Sequence, residues 1–150
     1  MNAARLLALI LISICFVGCA SPSGSARDEV LGVRLKATQQ NAGHIAQATL
    51  APRGDETTIS LVVGGVPPYV SRPVRLYTFI YPGTCARRGT APAYELNRTL
   101  TTEQQFRGDV WRLSKSAPVP LSTLRAGDYS LVLRTTPADG NYDIFCGDIR

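Results

Sequence analysis

The sequence is poor in the residues that most metal and acid–base chemistry requires. It has one histidine, His44, and one methionine, the initiator Met1. Lysine is scarce too, since only Lys36 and Lys115 accompany the arginines. A Ser-His-Asp triad would have to use His44, and no G-x-S-x-G elbow accompanies it. His44 reads instead as a half-exposed residue at the start of a strand. A redox copper or zinc centre is built from several imidazole, thiolate or thioether ligands, and this chain does not hold that inventory. No apolar run approaches the roughly 20 residues that span a bilayer as a helix. No block of about 20 to 50 residues recurs, which excludes a repeat array. The eleven acidic residues form no cluster beyond the adjacent pairs Asp28-Glu29 and Asp55-Glu56. Asp139-Gly140-Asn141 lacks the other ligands of a calcium loop and reads as a turn. The arginines scatter singly apart from Arg87-Arg88, so no stripe tracks a phosphate backbone and nucleic acid is not an expected partner. No cofactor is expected.

What is present begins with an address. The chain has 150 residues, 45% of them hydrophobic and 18% charged, the balance of one folded domain. Arg5 forms a short positive region, and Leu6 to Val17 is a twelve-residue run without a charge. That length suits the apolar core of a signal peptide. Phe16-Val17-Gly18-Cys19-Ala20 then resembles the lipobox of bacterial lipoproteins. The resemblance implies that the Cys19 thiol is lipidated, that residues 1–18 are cleaved, and that the new amino group is acylated. Phe16 departs from the usual Leu, Val or Ile. More than one acyl chain is what stable anchoring requires. Ala20, where an aspartate would retain the protein in the inner membrane, points to the outer membrane. The alternative is a plain secretory signal cut near Ala20-Ser21. Residues 19–29 read as the lipidated N-terminus and a flexible tether.

Cys15 leaves with the signal and Cys19 carries lipid, so Cys85 and Cys146 remain as the free pair in an oxidising compartment. A disulfide is the expected outcome. A reactive thiol or a metal ligand would want a nearby histidine or a C-x-x-C spacing, and neither is there. The formal charge is +5, falling to +4 once Arg5 is removed (5 − 1), which allows a mild preference for anionic surfaces.

Residues 30–150 read as strands and turns. Leu31, Val33, Leu35 and Ala37 alternate with polar or small neighbours and predict a first strand. A second covers His44 to Ala51, and after the turn Pro52-Arg53-Gly54-Asp55 a third covers Thr57 to Val63. Val74 to Tyr81 is rich in β-branched and aromatic types, Tyr94 to Arg98 is weaker, and Val110 to Leu113 surrounds Trp111. Asp128 to Thr136 and Tyr142 to Ile149 complete the set. Thr101 to Arg107 is the one helical candidate and, lacking an apolar stripe, reads as loop. Seven or eight short strands with frequent turns predict an all-β fold, a single antiparallel Greek-key β-sandwich.

Three segments carry a family resemblance. Phe79-Ile80-Tyr81-Pro82-Gly83-Thr84-Cys85 resembles the His-x-His, Gly, Cys pattern of copper/zinc superoxide dismutase-like and chordin-like (CHRD-type) β-sandwiches. Gly127 to Arg134 resembles their Gly-x-Tyr-x-x-Val-Val-His strand. Cys146-Gly147-Asp148-Ile149 resembles their Cys-Gly close, whose cysteine pairs with the earlier one. The resemblance spans residues 30–149, and its metal ligands are missing. Phe79 and Tyr81 stand where two copper-binding histidines would be, and Arg134 stands where a further histidine would be. Asp143 stands where the dismutases place an anion-attracting arginine.

The expected function is therefore a non-catalytic outer-membrane lipoprotein, facing the periplasm or the cell surface. It is held to the bilayer through Cys19 and acts as a binding or structural module whose partner is an envelope protein or a cell-wall component. Tyr69, Arg72, Arg75, Arg87 and Arg88, in the loops flanking Val74 to Tyr81, form the candidate binding surface because aromatic and arginine side chains favour such surfaces. The runner-up is an inhibitor of a periplasmic or host enzyme that inserts the loop Ala86 to Pro92. A third class, a superoxide dismutase-like metalloenzyme, lacks its ligands.

Overall fold

Alternating side chains decide this fold. In the computed structural model, which describes residues 30–98, 103–104 and 108–150, seven strands of seven to nine residues build the frame. They are β1 (Leu31–Ala37), β2 (Ile45–Arg53), β3 (Glu56–Gly64), β4 (Leu76–Thr84), β8 (Val110–Ala117), β9 (Tyr129–Thr135) and β10 (Asp143–Ile149). Two-residue pairings, β5 (Arg87–Arg88), β6 (Tyr94–Glu95) and β7 (Glu103–Gln104), dress the edges. One short helix, α1 (Leu121–Ala126), precedes β9.

All pairings are antiparallel, in the order β5-β4-β9-β10-β1-β2-β3-β8-β7, with β6 also on β4. The neighbours β3/β8 and β4/β9 are distant in sequence, because the chain crosses from one half of the sheet to the other after β3 and again after β8. The sheet curls at β1. Leu31 to Leu35 pair with β2, while Lys36 and Ala37 pair with Cys146 and Phe145 of β10. This is the all-β antiparallel architecture that the strand spacing predicts.

The inward positions of both halves meet in one core. Val33 and Leu35, Ala46, Ala48 and Leu50, Ile59, Leu61 and Val63, and Trp111 and Leu113 face Leu76, Ile80, Leu131, Leu133 and Phe145. Each fully buried Leu, Ile or Phe contributes about 1.5–3 kcal/mol. Among the described residues the buried apolar ones all lie between Val33 and Ile149. Gly147 permits the curl. A Cβ there would lie 2.7 Å from the Arg34 carbonyl oxygen and 2.8 Å from Leu35 Cδ2, so only a bare backbone lets β10 pass beneath β1. The β2–β3 hairpin closes on Gly54-Asp55, between Arg53 and its partner Glu56.

Several boundaries differ from the sequence reading. Pro52 and Arg53 belong to β2, since the turn needs only two residues and Gly54 supplies its positive φ of 61°. β8 continues four residues past Leu113, because Lys115 takes an inward position as Ala117 does. Lys115 as a whole is 5% exposed, and burial lowers its pKa. β9 is buried on both faces, Ser130 and Val132 outward as well as Leu131 and Leu133 inward. The helix α1 escaped the sequence reading, for six residues are too few to display a 3.6-residue period. It is set by the fixed φ of Pro120 (−62°) and buries Leu121 and Leu124. Of the Thr101 to Arg107 stretch, Glu103–Gln104 pairs with β8, and the rest lies outside the described residues, as do residues 1–29, on which the expected signal peptide, lipidated Cys19 and tether fall. Among the described residues no helix is long and apolar enough to cross a membrane.

Candidate functional site

The outer face of the β4–β9–β10 half carries the densest polar chemistry of the described residues. Alternation along β4 puts Tyr77, Phe79 and Tyr81 on that face, with ring centroids 6.3 Å and 6.1 Å apart in sequence. Phe79 and Tyr81, together with Val132 of β9, form a small second core outside the main one. Arg134 lies across this aromatic plate. Its guanidinium is 5.0 Å from the Phe79 ring centroid and 5.9 Å from that of Tyr81. Cation–π contacts of this kind contribute about 0.5–2 kcal/mol each.

Asp143, at the start of β10, joins two arginines. Arg134 Nε donates to its Oδ1 at 2.6 Å, and an Arg88 terminal nitrogen donates to its Oδ2 at 2.7 Å. Arg134 also donates to the Tyr81 hydroxyl oxygen at 3.1 Å, and Arg88 stacks 4.6 Å above the same ring. All three charged side chains are between 18% and 27% exposed, so solvent screens the cluster only in part. Burial alone would lower the Arg134 pKa. The hydrogen bond and charge of Asp143, with Tyr81 behind them, reverse that and raise it.

Arg88 reaches the plate because its hairpin is fastened. Cys85 and Cys146 form a disulfide with a Cα separation of 5.9 Å. The Cys85 N–H donates to Asp148 Oδ1 at 2.7 Å, and the Gly89 N–H donates to the Pro82 carbonyl at 2.7 Å. Gly83 pairs with Arg88 in β5, which folds residues 85–89 back along β4. On the other side, the Thr38 hydroxyl donates to the Asp143 carbonyl at 2.6 Å. Between these walls lies a polar cavity of about 550 Å³, lined by Thr38, Tyr81, Arg88, Thr90, Arg134 and Asp143 among others.

The structure brings together Phe79, Tyr81, Arg134 and Asp143, the four positions singled out through the resemblance, and adds Arg88 from the candidate binding surface. Thr38 and Thr90 were not legible as site residues, and no sequence signal marks them. The five residues of that candidate surface fall into two groups with separate partners. Arg87 and Arg88 follow the end of β4, whereas Tyr69, Arg72 and Arg75 precede its start, and the strand between them spans about 26 Å. Tyr69 meets Tyr142 edge to face at 6.1 Å. Arg72 lies 4.9 Å above the Trp111 ring and 3.7 Å from Asp109.

Beneath Tyr69 sits a second tie. Buried Asp139 accepts from the Ser71 hydroxyl at 2.5 Å, from the Ser71 N–H at 3.0 Å and from the Thr136 hydroxyl at 2.8 Å. The Ser71 hydroxyl, opposed by burial and assisted by Thr136, holds the carboxyl below its usual pKa. This residue is the middle of a local turn, with Gly140 left-handed behind it (φ 94°).

Copper or zinc does not fit the cluster. Phe79 offers no donor atom, Arg134 and Arg88 are cationic hydrogen-bond donors with no lone pair for a metal, and Asp143 is already engaged by both. Among the described residues no three of His, Cys, Asp and Glu lie close enough to hold a metal ion. Compared with protein-family models, with curated proteins and with solved structures, the chain finds no match.

Proposed function

We propose that this protein is a non-catalytic lipoprotein of the bacterial outer membrane, anchored through Cys19, whose β-sandwich serves as a binding or structural module of the cell envelope. The observation that carries the reading is the Arg134–Asp143–Arg88 cluster on its aromatic plate. Of the positions that the superoxide dismutase-like resemblance assigns to histidine ligands, Arg134 belongs to this cluster and Phe79 and Tyr81 lie against it, so closed ion pairs stand in place of metal donors. The dismutases share the sandwich architecture, and the meeting of Phe79, Tyr81, Arg134 and Asp143 on one face supports the resemblance. On this reading the family frame persists while its chemistry has been replaced by packing. The partner is another envelope protein or a cell-wall component.

One observation favours the second reading, an inhibitor of a periplasmic or host enzyme. The loop Ala86 to Pro92 begins at the disulfide, is pinned by the Gly89 N–H to Pro82, and ends at the Ala93 N–H to Ile80 bond of 2.8 Å. Ala86, Arg87, Thr90 and Ala91 within it are exposed. A pre-ordered loop loses little entropy on insertion into a cleft. In-cell crosslinking of the full-length protein tests both readings. A single partner recovered repeatedly, and lost when residues 86–92 are replaced, is the expected result. A catalytic partner would favour the inhibitor. Crosslinks that ignore changes in 86–92 would contradict this loop as the contact.

A further inference from the structure

The outer face of the β1–β2–β3–β8 half has a different character. Alternation sends Arg34 and Lys36 of β1, Ile45 and Gln47 of β2, Val62 of β3 and Arg112 of β8 outward, and all six are exposed. Arg34, Gln47, Val62 and Arg112 form one cross-strand row. Ile45, Gly64 and Val110 form the next. Gly64 lacks the side chain that would fill the middle of that row, and a groove of about 760 Å³ runs there. Ile45, Val62 and Val110 supply its apolar wall, with Arg34 and Lys36 beside them, and no carboxylate lines it.

The exposures are unusual for strand residues in mid-sheet. Ile45 is 77% exposed, Val62 is 41%, and Val30, at the head of β1, is 52%. An apolar patch rimmed by charge marks an interaction site. On the β1 side its rim is cationic, through Arg34 and Lys36, which favours an anionic partner, whereas Arg112 stands opposite Glu103 of β7. The face also begins where the tether ends. Cys19 precedes Leu31 by twelve residues, a run that spans at most about 40 Å when extended, so an anchor at Cys19 keeps β1 close to the bilayer.

We infer that this face lies on an anionic phospholipid surface, with Ile45 and Val62 entering the interfacial region and Arg34 and Lys36 meeting the phosphates. The inference rests on the lipid-anchored reading above and adds an orientation to it: the β4–β9–β10 face, with Arg88 and loop 86–92, points away from the membrane. Basic side chains near an anionic leaflet each strengthen binding about fivefold, and a lipid chain joined by such a patch holds where either alone is weak.

The test uses the unlipidated chain from Ala20 onward, which retains every buried core residue among the described residues. It is sedimented with vesicles of phosphatidylglycerol and phosphatidylethanolamine in equal parts, and separately with vesicles of phosphatidylcholine. Binding to the anionic vesicles alone, weakening as salt rises, is expected. Arg34→Gln with Lys36→Gln should weaken it about 25-fold, and Ile45→Ser about tenfold. Arg150→Gln, an exposed charge outside the face, should leave it unchanged. Unaltered thermal midpoints show that the variants fold. Absence of sedimentation, equal binding to phosphatidylcholine, or variants that bind as the parent does would each overturn the inference. A dimer in solution that Ile45→Ser dissolves would overturn it in favour of a second copy of the chain. Fractionation of cells carrying Cys19→Ser, with the membranes washed in high salt to release protein held by the face alone, tests the anchor separately. Vesicle binding with an unchanged membrane pellet overturns the anchor alone, while a shifted pellet without vesicle binding overturns the docking face alone.

Discussion

Two carboxylates, Asp139 and Asp143, carry most of the specific electrostatics, and they do different work. Asp139 gathers two hydroxyls and an N–H at the turn before β10, and its pKa in the fold lies below the ordinary value of 3.8. A carboxyl depressed in the folded state stabilises fully above its unfolded pKa and loses that contribution as pH falls through the folded one. The thermal midpoint of Asp139→Ala should therefore fall below that of the parent at neutral pH, and the gap should narrow under acid conditions below the usual carboxylate range. A gap independent of pH would contradict the tie. Asp143 instead neutralises two guanidiniums. A double-mutant cycle of Arg134→Gln and Asp143→Asn should give a coupling of about 1–2 kcal/mol, measured by urea unfolding. Little of this was legible in the sequence. Asp143 stood out only through the resemblance, as a charge of the wrong sign. Asp139 read as a turn residue, since its partner Ser71 lies 68 positions away.

At the scale of elements the sequence was far more readable, because a two-residue period writes burial directly into the chain. β1, β2, β3 and β9 follow their predicted spans to within a few residues, and Cys85–Cys146 pairs as elimination requires. What failed was short or locally contradictory: α1 has too few turns to show a period, and Lys115 interrupts the apolar rhythm of β8. Neither the long-range register nor the curl at β1 is written locally. Two predictions belong here. The disulfide closes a loop with a sequence separation of 61, for which chain entropy gives up to about 4 kcal/mol. Reduction should lower the thermal midpoint by several degrees in a calorimetric scan, and no shift would mean that the bridge does not stabilise the fold. Gly147→Ala places a methyl against the Arg34 carbonyl and Leu35. It should cost about 1–3 kcal/mol in denaturant unfolding, and an unaltered midpoint would contradict the close crossing of β1 and β10.

The whole molecule has two unlike outer faces around one core: an arginine–aromatic face closed upon Asp143, and an apolar groove with a cationic rim. Fold class followed from strand spacing, whereas the function classes were narrowed chiefly by what the composition withholds. At this scale Cys19→Ser should move the protein from the salt-washed membrane pellet to the soluble fraction. An unchanged pellet would count against the lipobox.

The central claim is that the face to which the resemblance assigns a metal is held by protein groups alone. The most direct measurement is the metal content of the protein purified from its native cells, with its thermal midpoint before and after copper and zinc are added. The account predicts less than stoichiometric metal and an unmoved midpoint. One equivalent of copper or zinc, with a raised midpoint that Asp143→Asn abolishes, would contradict it.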